Sequence, residues 1–393
     1  MSVMVEQPLV GVQLNARGSQ GQNGADTGHG ARIERTYNSY EPDLYIPEVV
    51  YTEEVALALE MYQFEAQEEV RRIARSYSTL SEYDTKEICR VAGFKTTGEF
   101  AVRVARGIHQ NMEFLRHVLP VEHIPAQKVN TPLHYRVRLL LSELVRDWSI
   151  EGAEERMQSY EPLIKELPAE RCRVLIPGCG TGRLAYDVAV RGHDVEANDF
   201  DIMKLAAANT VLARSPEDPY VLEPYCLDTC NRMGRDDHIR QVSVPDCDID
   251  RDALHRISVN GYEFTKAYGT SARHEAFDMV LTSAFIDTAP NVFEYIKTIA
   301  NVLKPGAKWA NTGPLGWLYD GDRFNAGRDG KFMRRLELSY EELMKAIGAK
   351  WFDIERQELV PGGRYCSDKE TMLETDLTFV NFVAVRNATP IDH

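Results

Sequence analysis

Val174-Leu175-Ile176-Pro177-Gly178-Cys179-Gly180-Thr181-Gly182-Arg183 reads as a short β-branched strand, a glycine turn and the start of a helix. Glycines belong where the backbone turns sharply and lies against a ligand with no Cβ in the way, and the helix that follows offers free N–H groups at its N-terminus. A G-x-G-x-G match by itself is weak. A dinucleotide fold wants Gly or Ala at the sixth position of G-x-G-x-x-G so that helix can pack on strand, and that position is Arg183, which argues against a dinucleotide. Asp199 lies 21 residues beyond Gly178, just after a second strand candidate at His193 to Ala197, where an acid can accept hydrogen bonds from both hydroxyls of a ribose. Asp201 competes for that role, which would leave Asp199 as a helix cap; the spacing favours Asp199. A ribose without a pyrophosphate points to S-adenosylmethionine.

Outward from this turn, the periodicity predicts helices over Arg183 to Val190 and Met203 to Ala213, a strand over Phe277 to Thr282, a helix over Val292 to Leu303, a strand over Lys308 to Asn311, a helix over Ser339 to Ile347 and a closing strand over Leu377 to Val385. Strands alternating with helices imply parallel pairing through right-handed crossovers, hence an α/β, doubly wound sheet. Upstream of Pro168 the pattern is helical. One helix is expected after Tyr45 to Val50, carrying Val55 to Ala74 at mixed helical spacing; a second runs from Thr97 to Leu119 and stops at Pro120; a third runs from Tyr135 to Trp148. Residues 11 to 31, with six glycines among Gln, Asn and Ser, cannot bury enough apolar surface to offset chain entropy. The expected division is a disordered leader over 1–44, a helical N-terminal region over 45–165 and a catalytic domain over 166–393.

The 393 residues, 44% hydrophobic and 27% charged, have the composition of an ordinary globular protein. A formal charge of -15 repels a phosphate backbone or an anionic lipid surface, so neither nucleic acid nor membrane is expected as a partner. No apolar run approaches the roughly 18 residues a bilayer span needs, and the N-terminus has no signal pattern, so a cytosolic location is expected. Seven scattered cysteines make a disulfide framework improbable. Cys226, Cys230, His238 and Cys247 match no standard zinc spacing, and no metal is expected.

In an open α/β sheet ligands sit beyond the carboxyl ends of the strands, so Ser283 to Asp287, after the strand Phe277 to Thr282, should border the cofactor, with Asp287 facing the acceptor. A carboxylate there can orient a nucleophilic nitrogen, hold a cationic ring or take a proton. Its competing use is as the N-cap of the next helix, but Asn291 is better placed for that.

Arg146-Asp147-Trp148-Ser149, Glu151-Gly152, Glu155-Arg156, Pro177 to Ala185, Pro245-Asp246, Phe285 to Ala289 with Asn291, and Leu303 to Gly306 with Asn311, Gly313, Pro314 and Leu315 form an ordered series that resembles the carnosine N-methyltransferase family over roughly residues 134 to 386. The resemblance implies a Rossmann-like class I methyltransferase sheet with an added N-terminal helical region and S-adenosyl-L-methionine as cofactor. Carried over, its cofactor contacts fall on Arg146, on Gly178 with Gly180 and Gly182 in the same loop, on Asp199 and on Ser283. A family glutamine falls on Glu143, and a family G-D-F near the adenine falls on Gly269-Thr270-Ser271, which brings no carboxylate. Asp287 matches the substrate-binding acid. The substrate-binding histidine falls on Leu318, and a tyrosine cluster falls on Asp376, Leu377 and Thr378.

A site that loses an imidazole and a phenol loses polar partners for a histidine-containing dipeptide. The expectation is therefore a small-molecule N-methyltransferase acting on an amide or amine nitrogen of a dipeptide-derived secondary metabolite of the epidithiodiketopiperazine (gliotoxin) type, with Asp287 catalytic and Leu318 and Thr378 at the acceptor. The alternatives are a carnosine N-methyltransferase and a catalytically silent S-adenosylmethionine-binding regulatory protein. The oligomeric state is not legible.

Overall fold

The computed structural model describes residues 53–118, 134–319 and 335–391. The expected leader, the onset of order at Tyr45 to Val50 and the stop at Pro120 lie outside the described residues.

Helices α1 (Glu53–Ser78), α2 (Glu82–Ala92), α3 (Glu99–Val118) and α4 (His134–Trp148) come first. The apolar positions that predict α1, α3 and α4 are buried against one another: Leu59, Tyr62 and Ala66 of α1, Val104, Ile108 and Leu115 of α3, and Leu140, Leu141 and Leu144 of α4. Helix α2 was missed because it buries no residue; its ends are set by Ser81, which accepts from the Asp84 N–H, and by Gly93 at φ +68. Two short helices follow, α5 (Ala153–Ser159) and α6 (Glu161–Ile164).

Strands and helices then alternate: β1 (Arg173–Pro177), α7 (Arg183–Val190), β2 (Asp194–Asn198), α8 (Ile202–Leu212), β3 (Tyr220–Leu222), β4 (Val242–Val244), α9 (Arg251–Leu254), β5 (Ile257–Asn260), α10 (Phe264–Tyr268), β6 (Phe277–Ser283), α11 (Val292–Val302), β7 (Leu303–Thr312), α12 (Tyr340–Gly348), β8 (Phe352–Gly363) and β9 (Leu377–Arg386). The main sheet has the order β5-β2-β1-β6-β7-β9-β8, in which β9 pairs antiparallel with both β7 and β8 and the other pairs are parallel. Strands β3 and β4 form a separate antiparallel ribbon. This is the expected Rossmann-like methyltransferase sheet with helices added ahead of it.

Side chains alternate across the sheet, so Val174 and Ile176 face the core shared with α1, α3, α4, α7 and α8, while Leu175 and Val280 face the core of α10, α11 and α12. Burying each such residue is worth roughly 1.5–3 kcal/mol, and a slip of one residue would exchange the two faces, which fixes the register. The parallel strands end together at Pro177, Asn198, Asn260, Ser283 and Thr312, and the crevice opens along that edge.

Candidate active site

The glycine turn leaves β1 with Gly178 at φ +66, Gly180 at +56 and Gly182 at +84. A Cβ on Gly178 would stand 2.4 Å from the Phe285 ring, so this position is a close approach as well as a turn. Phe285 stacks on Tyr295 with centroids 4.8 Å apart, and Phe264 packs edge-on against both. The three rings wall the crevice beside the turn.

Helix α4 holds the turn from behind. Asp147 accepts from the Thr181 hydroxyl, and Trp148 Nε1 donates to the Thr181 carbonyl at 2.8 Å. Arg183 donates to the Asp147 carbonyl and lies over the Trp148 ring. Arg146 Nε donates to Asp147 Oδ1 at 2.8 Å and Nη2 to the Tyr160 hydroxyl at 3.1 Å. Arg156 and Arg183 converge on Asp246, from the Pro245-Asp246 pair. The Arg-Asp-Trp series is thus a clamp on the glycine turn.

Asp199 stands just past β2 with 8% of its surface exposed. Its Oδ2 accepts from the Gly180 N–H and its Oδ1 from the Asp201 N–H, both at 2.9 Å. Burial, reinforced by Asp201 and opposed by Lys204, raises its carboxyl to about 6. Asp201 is the cap of α8, accepting from Met203 N–H, and it is also paired with Arg136. Asp201, and not Asp199, is therefore the cap of α8.

Glu143 lies one turn before Arg146 and is 1% exposed. Its Oε1 accepts from Lys204 Nζ at 2.8 Å and from the Tyr365 hydroxyl at 3.0 Å, while Oε2 is buried without a partner. Ser283 stands half-buried at the carboxyl end of β6.

Thr270 and Ser271 are not brought to the crevice. Helix α10 starts beside the carboxyl end of β5 and carries the chain away from it, so both residues lie exposed on the approach to the amino end of β6, where Asn301 donates to the Thr270 carbonyl. The turn that does stand beyond β5 is Asn260-Gly261-Tyr262-Glu263, and Glu263 caps α10 with both carboxylate oxygens. The misplacement has a physical origin: β5 is only four residues long and half-buried, so its periodicity did not mark where the strand ended.

Asp287, 1% exposed, sits in a short turn after β6. Its Oδ2 accepts from the Gly316 N–H at 2.8 Å, its main-chain carbonyl accepts from the Leu318 N–H at 2.8 Å, and its Oδ1 is buried with no partner. Burial is the largest cause raising its carboxyl to about 6. Ala284 and Trp317 flank it at φ +48, a left-handed conformation that costs free energy in residues other than glycine and is concentrated at functional sites. Asn291, not Asp287, caps α11. Leu318 is half-exposed beside Asp287; Thr378 is exposed near the start of β9, where Val380 N–H bonds the Gly313 carbonyl at the rim of the crevice.

Cys226 contacts Asn111, His238 packs edge-on against Phe100, and no group of three metal-ligating side chains occurs among the described residues. No helix among the described residues is long and apolar enough to cross a membrane.

The residues present fit S-adenosylmethionine: a glycine turn with positive φ at Gly178, Gly180 and Gly182 and no room for a Cβ at Gly178, a carboxylate after β2 and unpartnered carboxylate oxygens on Glu143 and Asp287. Solved S-adenosylmethionine-dependent methyltransferases overlay on the chain, one from Methanosarcina mazei at 15% identity and TM-score 0.36 over 57% of this chain and 97% of its own, one from Listeria monocytogenes at 14% and 0.37 over 60% and 100%. Among curated proteins, the carnosine N-methyltransferase of Schizosaccharomyces pombe is 33% identical over 63% of this chain and 69% of its own length, and that of Mus musculus is 34% identical over 56% and 55%. The chain thus spans about half the length of the mouse relative. The carnosine N-methyltransferase family profile matches residues 125–388, two thirds of the sequence. The match runs through the Arg-Asp-Trp clamp, the glycine turn and the buried acid after β6, and the chain belongs to the carnosine N-methyltransferase family of S-adenosylmethionine-dependent enzymes.

Proposed function

We propose that the crevice binds S-adenosylmethionine through the glycine turn and Asp199, and that Asp287 receives the nitrogen of a small acceptor. The observation that carries this reading is the Asp287 carboxylate, buried at the carboxyl end of the sheet with one oxygen tied to Gly316 and the other unpartnered. The bound cofactor supplies an activated methyl group on a sulfonium. Asp287 Oδ1 then has two tasks: to orient the acceptor so that its nucleophilic nitrogen lies in line with the methyl group, which is the largest lever available, and to accept the proton the acceptor gives up, which for an imidazole is the N–H of the ring nitrogen that is not methylated. Asp199 keeps two lone-pair directions for ribose hydroxyls besides those spent on Gly180 and Asp201. The aromatic wall of Phe264, Phe285 and Tyr295 excludes water from the reacting centre.

For the acceptor, the names of the relatives favour a histidine-containing dipeptide of the carnosine type over the cyclic dipeptide amide expected from the sequence. A carboxylate suits an imidazole that gains positive charge on methylation. A second, more apolar acceptor is kept in view by one observation, that the residue hydrogen-bonded to the Asp287 carbonyl is Leu318. We also read residues 45–165 as a helical region serving the cofactor side, because Asp147 and Trp148 of α4 hold the glycine turn, and 166–393 as the catalytic domain.

The test is release of S-adenosylhomocysteine with carnosine, histidine, simple amines and cyclic-dipeptide amides at equal concentration. Carnosine as the fastest substrate, by about tenfold or more, is the expected result. Faster turnover of the cyclic amide would transfer the assignment to the apolar acceptor, and no turnover of any of them would remove the small-dipeptide reading.

A further inference from the structure

Lys204 has no counterpart in the reading of the motifs, yet it reaches from the first turn of α8 to Glu143 of α4, with Nζ 2.8 Å from Oε1. Burial works against this ammonium, and the carboxylates of Glu143, Asp199 and Asp201 more than offset it, so Lys204 is charged. Lys204 stands in the first turn of α8, which follows directly on the carboxyl end of β2 and Asp199, and its N–H bonds the Asp201 carbonyl, so the ammonium starts from the edge along which the crevice opens. On the other side, Tyr365 comes from the segment joining β8 to β9, donates its hydroxyl to the same Oε1 at 3.0 Å and lies under the guanidinium of Arg146, 4.5 Å from its ring. Two donors therefore converge on Oε1 while the buried Oε2 has none. Arg146 is already spent on Asp147 and Tyr160.

A fixed ammonium beside a fixed carboxylate with an unspent oxygen is complementary to a zwitterion. An α-amino acid group is one, its ammonium able to donate to Oε2 and its carboxylate able to accept from Lys204. We propose that Lys204 and Glu143 form a zwitterion clamp for the amino-acid end of the cofactor, and that Tyr365 is a positioning residue that holds Glu143 for it. The proposal rests on the crevice being the S-adenosylmethionine site. An uncharged ligand end, or one carrying a single charge, would leave one member of the clamp unmatched.

The experiment is calorimetry on the full chain with two probes, S-adenosylhomocysteine and 5′-methylthioadenosine, which shares the nucleoside and sulfur but lacks the amino-acid end. Lys204→Met and Glu143→Gln should each weaken S-adenosylhomocysteine about tenfold or more while changing methylthioadenosine by less than about twofold; Tyr365→Phe should give a smaller loss of the same selectivity, and Lys204→Arg should retain most of the affinity. Equal losses on both probes would make the pair a structural tie between α8 and α4 and overturn the clamp, as would unchanged affinity for both. Glu143→Gln keeps the test open should Lys204→Met fail to fold: a loss confined to S-adenosylhomocysteine supports the clamp, and equal losses on both probes, or none, overturn it. Failure of the unaltered protein to bind either probe would instead overturn the cofactor crevice itself, and the clamp with it.

Discussion

Asp287 shows how one residue ties acceptor binding to pH. Its carboxyl is raised to about 6 by burial, so acid protonates it where an exposed aspartate would stay charged, and methyl transfer should fall as pH drops through about 6. The stability linkage runs the other way. A carboxyl whose folded value exceeds its unfolded one favours the fold below the unfolded value, near 3.8, and that contribution is lost as pH rises through about 6. At about 1.36 kcal/mol per pH unit the penalty at pH 8 is roughly 2–3 kcal/mol. Asp287→Asn should therefore melt higher than the unaltered protein at pH 8 and equally near pH 4, while losing methyl transfer by roughly 10²-fold. Thermal unfolding at the two pH values, alongside cofactor calorimetry and turnover, checks this; full activity would reduce Asp287 to a tie for Gly316 and Leu318.

The glycine turn is the element on which the cofactor side depends, and its glycines are not equivalent. At Gly178 the positive φ combines with the Phe285 ring 2.4 Å from a prospective Cβ, whereas Gly180 has the φ alone, with nothing within 4 Å. Gly180→Ala should cost about 1 kcal/mol of backbone strain, and Gly178→Ala at least roughly 2 kcal/mol together with most cofactor affinity, because the aromatic wall must shift as well. Urea unfolding and S-adenosylhomocysteine calorimetry on both variants check the difference; equal effects would mean the wall yields freely. Among the other elements, α12 was legible down to its cap, since Ser339 and Glu342 form a capping box. Strand β8 was not: it is a long edge strand, mostly exposed, charged and interrupted by Pro361, so it lacks the apolar alternation that marks a strand.

Across the whole molecule, the segment between β8 and β9 is a strap fastened to the helices ahead of the sheet and to the connection between β3 and β4. Glu155 of α5 accepts from the Cys366 and Ser367 N–H groups and the Ser367 hydroxyl, Asp368 pairs with Arg232 and Arg240, and Tyr365 closes on Glu143. A separate cavity of about 730 Å³, lined by Arg156, Arg183, Val360 and Phe379, lies between α5–α7 and the outer strands; both arginines are already engaged by Asp246. Glu155→Ala removes three acceptor contacts to the strap, so trypsin should cut at Arg364 or Lys369 several-fold faster while the sheet resists, and S-adenosylhomocysteine should slow the cutting by holding Tyr365 and Glu143 together. Cleavage at the unaltered rate would show that the arginine pairs on Asp368 suffice.

The sequence by itself determined the doubly wound sheet, the position of the glycine turn, the acid after the second strand and the acid after Ser283, because each is a local pattern: a run of apolar residues, a glycine where no Cβ fits, a carboxylate at a fixed spacing. It also carried the family, through motifs spread from Arg146 to Leu315. Tertiary structure alone decided why those motifs exist and what meets at the crevice. Arg146 to Trp148 clamp a turn more than 30 residues later, and Lys204 and Tyr365 meet Glu143 from 61 and 222 residues away. It also decided that Thr270 and Ser271 fall at the wrong end of the strands. Such meetings depend on how layers stack and which way a short helix runs, and neither leaves a periodic mark along the chain.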